Sequence, residues 1–274
     1  MYLDDLLDSQ VALPAIPRNI AMVLSELSRD EPDLRKVSQY IHTDIGLTTL
    51  LLGLANSAQF QLKNRFGNVS DALAVLGLVQ VRSLTAAAAM AGAFKHVRGL
   101  GVQQFWRYSL NVAKLPRKLA RLGVANASIA FTAGLVHAAG ELVMHLGMPD
   151  QMRWLNERVE PLDIRHAHAE RHLLGYFYAD VGAGFAKSWE FPQSIVDAIA
   201  HHFAPFDNEV YEPIAGVVHL SAWRARAREA ELKPGELADR FPDGVALALG
   251  IDIDEVLQQE PIDWTSSQES ASMV

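Results

Sequence analysis

The chain has 274 residues, half of them hydrophobic and a fifth charged, which fits an ordinary globular protein with room for one large or two modest cores. A formal net charge of −8 argues against a phosphate-backbone partner, and the absence of cysteine excludes disulfides, thiolate metal sites and cysteine nucleophiles. Met1 to Gln10 is acidic and has neither the cationic start nor the apolar run of a leader peptide. The longest apolar stretch, Leu84 to Phe94, is too short to span a bilayer, so the expectation is a cytoplasmic protein with no membrane partner.

Helical periodicity dominates the pattern and strand alternation is scarce, so the fold class is all-α. Leu13-Pro14-Ala15-Ile16-Pro17 is stiff, with Pro17 suited to a first helical position. Ile20, Val23, Leu24 and Leu27 form one face of a short helix. Asp33 is placed to cap a second helix carrying Leu34, Val37 and Ile41, and Asp44 a third from Ile45 to Leu54. Ala58 to Asn68 reads as a loop. Ser70 is the expected cap of the next helix and Gly77 its stop. Val79 to Phe94 is apolar nearly all round, as a central buried helix would be, and Val97 to Gly101 is the candidate hinge. Gln103 to Leu122 is amphipathic, with a kink or break expected at Pro116. Helical stretches follow over Asn126 to Leu146, Ile164 to Trp189, Ser194 to His202 and Glu212 to Ala230. A small closing element, Val245 to Leu257, has Asp252 as its cap, and the Ser-rich Thr265 to Val274 reads as a disordered tail.

Lys114, Arg117, Lys118 and Arg121 are the nearest approach to a basic patch, and their spacing is that of a solvated helix face, so no nucleic-acid partner is expected. His168 and His172 lie four apart, a metal-competent spacing, but with His166 and Glu170 they read as another solvated polar face. No serine lies in a Gly-x-Ser-x-Gly elbow, and Gly182-Ala183-Gly184 lacks the lysine of a phosphate loop. Trp106 and Trp189 read as core anchors, and Asn56 and Ser57 as ties between a helix end and a neighbouring loop.

Several segments occur in a telling order: Leu13 to Pro17; Leu54-Ala55-Asn56-Ser57-Ala58; Ala72 to Gly77; Phe105-Trp106 with Ser109; Ala133-Gly134-Leu135-Val136-His137; Gly175 with Val181-Gly182-Ala183; Trp189 to Pro192; and His201-His202. In this order and spacing, over roughly Leu13 to Ala230, the chain resembles the HDOD (HD-related output domain) family. The resemblance implies an N-terminal helical bundle packed on a C-terminal HD-like helical bundle. The corresponding divisions are 1–12 as a lead, 13–98 and 99–230 as the two helical subdomains, 231–264 as a helical extension, and 265–274 as the tail.

The wider HD superfamily hydrolyses phosphate esters with one or two metals held by histidines and aspartates, and this chain departs from that ligand set. Tyr108 stands at the first histidine position, two residues after Trp106. The His-Asp pair reads His137-Ala138, the lysine that often follows is Glu141, and a further histidine position is Tyr178. His201-His202 survives, but Ala222 replaces the late aspartate after His219-Leu220-Ser221. Too few donors remain for a catalytic centre, which usually needs three protein ligands. The expectation is therefore no catalytic, cofactor-binding or metal site and no cofactor. Tyr108, His137, Glu141, Tyr178, His201 and His202 are candidates to line a vestigial pocket.

The resemblance then implies a non-catalytic signal-transduction module acting through protein, or small-ligand, binding. Partners in trans would be signalling proteins such as receiver or cyclic-di-nucleotide turnover domains. The loop from Gln59 to Gly67 and the acidic C-terminal element with its tail are candidate contact surfaces. The alternative is a degenerate metal-dependent phosphohydrolase or phosphodiesterase.

Overall fold

The computed structural model describes residues 2–8, 18–27, 29, 31–44, 47–48, 51–52, 55, 67–94, 97–119, 127–189, 191–207, 212–252, 254 and 256. Among these the chain is helical, with turns and no strand. It divides into two compact units, one over residues 14–95 and the other combining residues 1–13 with 96–271. The expectations for Pro17, for Asn56 and Ser57, for Arg121, for the loop from Ala58 to Phe66 and for the tail from Thr265 lie outside the described residues.

The first helix, α1 (Leu3–Asp8), belongs to the second of these units. Among the described residues of the first unit lie α2 (Arg18–Leu27), α3 (Leu34–His42), α4 (Val69–Leu76) and the longer α5 (Leu78–Ala93), and residues 47–48, 51–52 and 55 are helical as well. Asp33 caps α3 by accepting the Arg35 and Lys36 amides, and the Asp44 carboxylate accepts the Leu47 amide at 2.8 Å. The cap of α4 is Asn68 and not Ser70. The Asn68 side-chain oxygen accepts the Asp71 amide at 2.9 Å, while Ser70 lies inside the first turn and meets Ser38 at 3.1 Å. Gly77 stops α4 with φ at +77°, a value only glycine takes without strain, and α5 leaves at 115° to it. From Val81 through Ala89 nearly every α5 side chain is buried, as its all-round apolar pattern requires.

In the second unit, α1 is a helix within the stretch read as a plain lead, and its Leu6 is fully buried. It packs on α11 (Tyr178–Ser188). The helix α6 (Val102–Leu119) continues through Pro116 without the expected break. The proline falls in the last described turn, where the missing amide removes one ladder bond, and the buried Val112, Ala113 and Leu115 hold the helix against α7 (Ala127–Val136). Asn126 to Leu146, read as one stretch, is interrupted at His137-Ala138 into α7 and α8 (Ala139–Gly147). Ile129 to Gly147 has the length and apolar composition to cross a membrane, more than Leu84 to Phe94 does, but 89% of its most apolar window is buried within the fold. It is the core of this unit.

Around that core stand α9 (Pro149–Asn156), α10 (Ile164–Leu174), α12 (Gln193–His201) and α13 (Pro213–Glu229), with α14 (Pro234–Asp239) and α15 (Asp243–Leu249) beyond. The closing element read as continuous to Leu257 is stopped at Gly250, and Asp252 caps the Asp254 amide beyond it at 2.9 Å. Neighbouring pairs are α6–α7, α8–α11, α11–α12, α6–α13 and α12–α13, so the ends of α7 and α12 and the start of α11 point into one interior region.

Candidate functional site

His137 follows the last residue of α7, and its Nδ1 donates to the Gly134 carbonyl at 2.7 Å, satisfying a helix-end acceptor. His202 does the same at the end of α12, where its Nδ1 donates to the Ile199 carbonyl at 2.7 Å. These bonds fix both imidazoles with the lone pair on Nε2, the arrangement a metal ligand needs. Neither lone pair is available, because a phenol takes each. The Tyr108 hydroxyl, from α6, donates to His137 Nε2 at 3.3 Å. The Tyr178 hydroxyl, from the first residue of α11, donates to His202 Nε2 at 2.9 Å. The two imidazole rings meet edge-on at 5.1 Å, and all four side chains are at most 3% exposed.

A cation completes the group. Arg226, on α13, donates through Nη2 to the Tyr178 hydroxyl and through Nε to the Leu162 carbonyl, both at 3.3 Å. Its guanidinium carbon lies 5.7 Å from the Tyr108 ring centre, within cation–π reach. Burial, reinforced by Arg226, pushes His137 down to about 3. Burial, with His137 next and Arg226 also contributing, holds His202 far below the usual histidine range. Burial raises both tyrosines. Neutral imidazoles accepting from neutral phenols are the state these shifts favour.

The positions from which ligands are missing are buried as well. Ala138 and Ala222 are 3% and 1% exposed and present only methyl groups. Arg226 lies one turn beyond Ala222, so the helix that lacks the late carboxylate brings a positive charge to the same face. Arg226 is not among the residues picked out from the sequence alone. Its visible signal is an arginine four residues from Ala222 in a run whose Val218, Ala222 and Ala225 are all apolar. His201 is half-buried on the last turn of α12, while His202 alone of the pair enters the group. His219 donates through Nδ1 to the His202 carbonyl at 2.9 Å.

Glu141 belongs to a second, adjoining cluster. His168 and His172 are exposed, as a solvated face requires, but His166 and Glu170 are not: they are 1% and 0% exposed. The correction follows from helix geometry, since two residues turn a side chain about 200° around α10 and put the 166/170 pair opposite the 168/172 pair. His166 Nδ1 donates to Glu170 Oε1 at 2.8 Å and lies 3.4 Å from Glu141 Oε1. His166 Nε2 donates to Asn156 Oδ1 at 3.1 Å. Asn156 Nδ2 in turn donates to the Gly99 carbonyl at 2.8 Å and to His145 Nε2 at 3.0 Å. His145 Nδ1 donates to the Glu141 carbonyl at 2.7 Å. Glu170 Oε2 accepts the Tyr178 amide at 2.8 Å, which links this cluster to the phenol that closes His202.

Glu141 is the uncomfortable member. It is 2% exposed and its Oε2 has no hydrogen-bond partner. Burial first, then repulsion from Glu170, pushes its carboxyl up to about 8. For His166, burial works downward, but hydrogen bonds and attraction from Glu141 and Glu170 outweigh it and raise the imidazole to about 10.

Residues 13–205 match the HDOD domain family. A candidate phosphohydrolase from Shewanella amazonensis SB2B is 26% identical and superposes with a TM-score of 0.71 over 97% of this chain and 98% of its own. An HDOD domain protein with unknown function from Geobacter sulfurreducens is 25% identical, with a TM-score of 0.66 over 95% and 92%. A protein of Treponema pallidum (strain Nichols) is 25% identical over 222 residues, and this chain, although 80% covered, spans only 43% of that relative's length.

Proposed function

The chain belongs to the HDOD family, and we propose that it is a non-catalytic, cytoplasmic signal-transduction module that acts by binding other signalling proteins. One observation carries the reading. Two of the histidines kept from the metal-binding pattern, His137 and His202, have their Nε2 lone pairs engaged by phenols, with a guanidinium held beside them. A divalent ion entering there would have to displace two hydrogen bonds, approach Arg226 and make do without the carboxylates that Ala138 and Ala222 cannot supply. The pocket is satisfied by its own side chains, so the helices pack around it as a polar core and not as a reaction centre.

Partners such as receiver or cyclic-di-nucleotide turnover domains fit the family and are the proteins to test. The candidate phosphohydrolase from Shewanella amazonensis shares the fold, and its name keeps hydrolysis as the competing reading. The experiment is turnover of phosphate mono- and diesters, including a cyclic dinucleotide, by the purified chain with added Mn²⁺ or Fe²⁺. The expected result is a rate equal to the protein-free control. Turnover that survives repurification and is abolished by His137→Ala overturns the proposal.

A further inference from the structure

The Glu141, His166 and Glu170 cluster goes beyond the pocket around His137 and His202. One oxygen of each carboxylate and His166 Nδ1 all lie within 4.8 Å of one another, on side chains brought together from α8 and α10. Nitrogen–oxygen separations of 2.8 and 3.4 Å suit donors around one ion with bonds of about 2.0–2.2 Å. The three side chains are at most 2% exposed, and Glu141 Oε2 makes no hydrogen bond, with His145 Nδ1 3.7 Å away. A buried carboxylate oxygen without a donor marks the place of a missing ion or proton.

We propose that Glu141, His166 and Glu170 form a closed, structural site for one divalent transition-metal ion, Zn²⁺ or Mn²⁺ by ligand type. Two carboxylates and one neutral imidazole carry the charge that a divalent ion balances, and mixed oxygen–nitrogen donors suit these metals. The surrounding groups are those of a metal site. Asn156 Oδ1 accepts from His166 Nε2 and orients the ring, and the Tyr178 amide holds the far oxygen of Glu170. His166 must release its Nδ1 proton and Glu141 its carboxyl proton on binding, so uptake weakens as pH falls. Buried on all sides, the ion is out of reach of a substrate, and it ties α10 to α8. Through Glu170 it also steadies the amide of Tyr178, the residue that closes His202.

The test uses the full chain, stripped with chelator, incubated with Zn²⁺ or Mn²⁺ alone, desalted and assayed for metal by plasma mass spectrometry. The expected result is about one retained equivalent, unchanged in His137→Ala and weakened about tenfold or more in Glu141→Gln and Glu170→Gln. Electron spin-echo spectra of the Mn²⁺-loaded wild type, which need no variant to fold, are expected to show one coordinated imidazole. No retained metal in the wild type overturns the site, as does metal indifferent to both glutamate substitutions. Metal with two imidazoles that is lost in His137→Ala overturns it as well and places the ion in the inner pocket, where it would also defeat the proposed function. Ester turnover remaining at control level with this site loaded would leave that proposed function standing.

Discussion

Replacing Gly140 by alanine probes the contact that holds the two clusters together. Gly140 lies in the first turn of α8, and a Cβ there would stand 1.9 Å from the Tyr178 carbonyl oxygen and 2.7 Å from the Gly182 amide nitrogen. Both obstacles are backbone, so no rotamer can move them aside. Restoring van der Waals distance requires α8 and α11 to part by about 1.3 Å, in a core packed as densely as a crystal. That displacement carries Tyr178 with it, and its amide bond to Glu170 and hydroxyl bond to His202, now 2.8 and 2.9 Å, would stretch toward about 4 Å and be lost. Overpacking costs about 1–3 kcal/mol and two buried hydrogen bonds about 1 kcal/mol each, against a helix-propensity gain of up to about 1 kcal/mol. The net expectation is a loss of about 3 kcal/mol in urea unfolding, with a changed near-ultraviolet tyrosine signal. Gly244→Ala is the matched control, since a Cβ there meets nothing within 4 Å in α15 and stability should stay level or rise by up to about 1 kcal/mol. A Gly140→Ala protein within about 0.5 kcal/mol of wild type would refute the argument that this helix crossing is rigid.

Other substitutions separate the remaining contacts. Tyr178→Phe leaves His202 Nε2 and Arg226 Nη2 without their shared partner and should cost about 1–3 kcal/mol, more than Tyr108→Phe, whose bond to His137 is longer, at 3.3 Å; equal losses would contradict the network. His137 is held neutral in the fold, so the unfolded chain binds more protons below its ordinary value of 6.5, and the stability contributed by the neutral ring is complete above 6.5 and lost as pH falls toward 3. Glu141 and His166 are raised and change in the opposite sense, so the check is a difference: the gap between wild type and His137→Gln should narrow by about 2 kcal/mol from about pH 7.5 to about pH 5. A constant gap would show that His137 titrates normally. Asp33→Ala removes the acceptor of two amides at the start of α3 and should cost about 1 kcal/mol by thermal unfolding, with Asp33→Asn close to neutral.

What the sequence made legible follows from how local each feature is. The Asp33 cap, the Gly77 stop and the buried α5 depend on residues within one or two turns, and short-range chemistry identifies them. Pro116 and Asn68 show where local rules weaken. A proline is tolerated within a helix when buried neighbours such as Val112, Ala113 and Leu115 hold it, and two good caps two residues apart differ by little, so packing chooses. The helix at Leu3–Asp8 was unreadable for a related reason, because its one fully buried side chain, Leu6, is buried in a helix that docks on α11, a contact no local pattern reveals.

The site was legible in its vacancies and illegible in its replacements. Tyr108, Ala138, Tyr178 and Ala222 can be recognised one at a time against a pattern, because each asks only whether a donor is present. The groups that fill the resulting space come from other elements: Arg226 from α13, and the Glu170 that fixes the Tyr178 amide from α10. Periodicity identifies which residues of α10 share a face but not which face turns inward, and so the exposed 168/172 pair masked the buried 166/170 pair. The physical requirement behind the replacements is nonetheless simple. Each buried Nε2 acceptor needs a donor, and leaving both unmet would cost about 1–3 kcal/mol apiece. A phenol supplies that donor without bringing a charge, and Arg226 in turn donates to the Tyr178 hydroxyl. Tyr108 and Tyr178, standing where the pattern has histidines, therefore help to hold the core of this unit together.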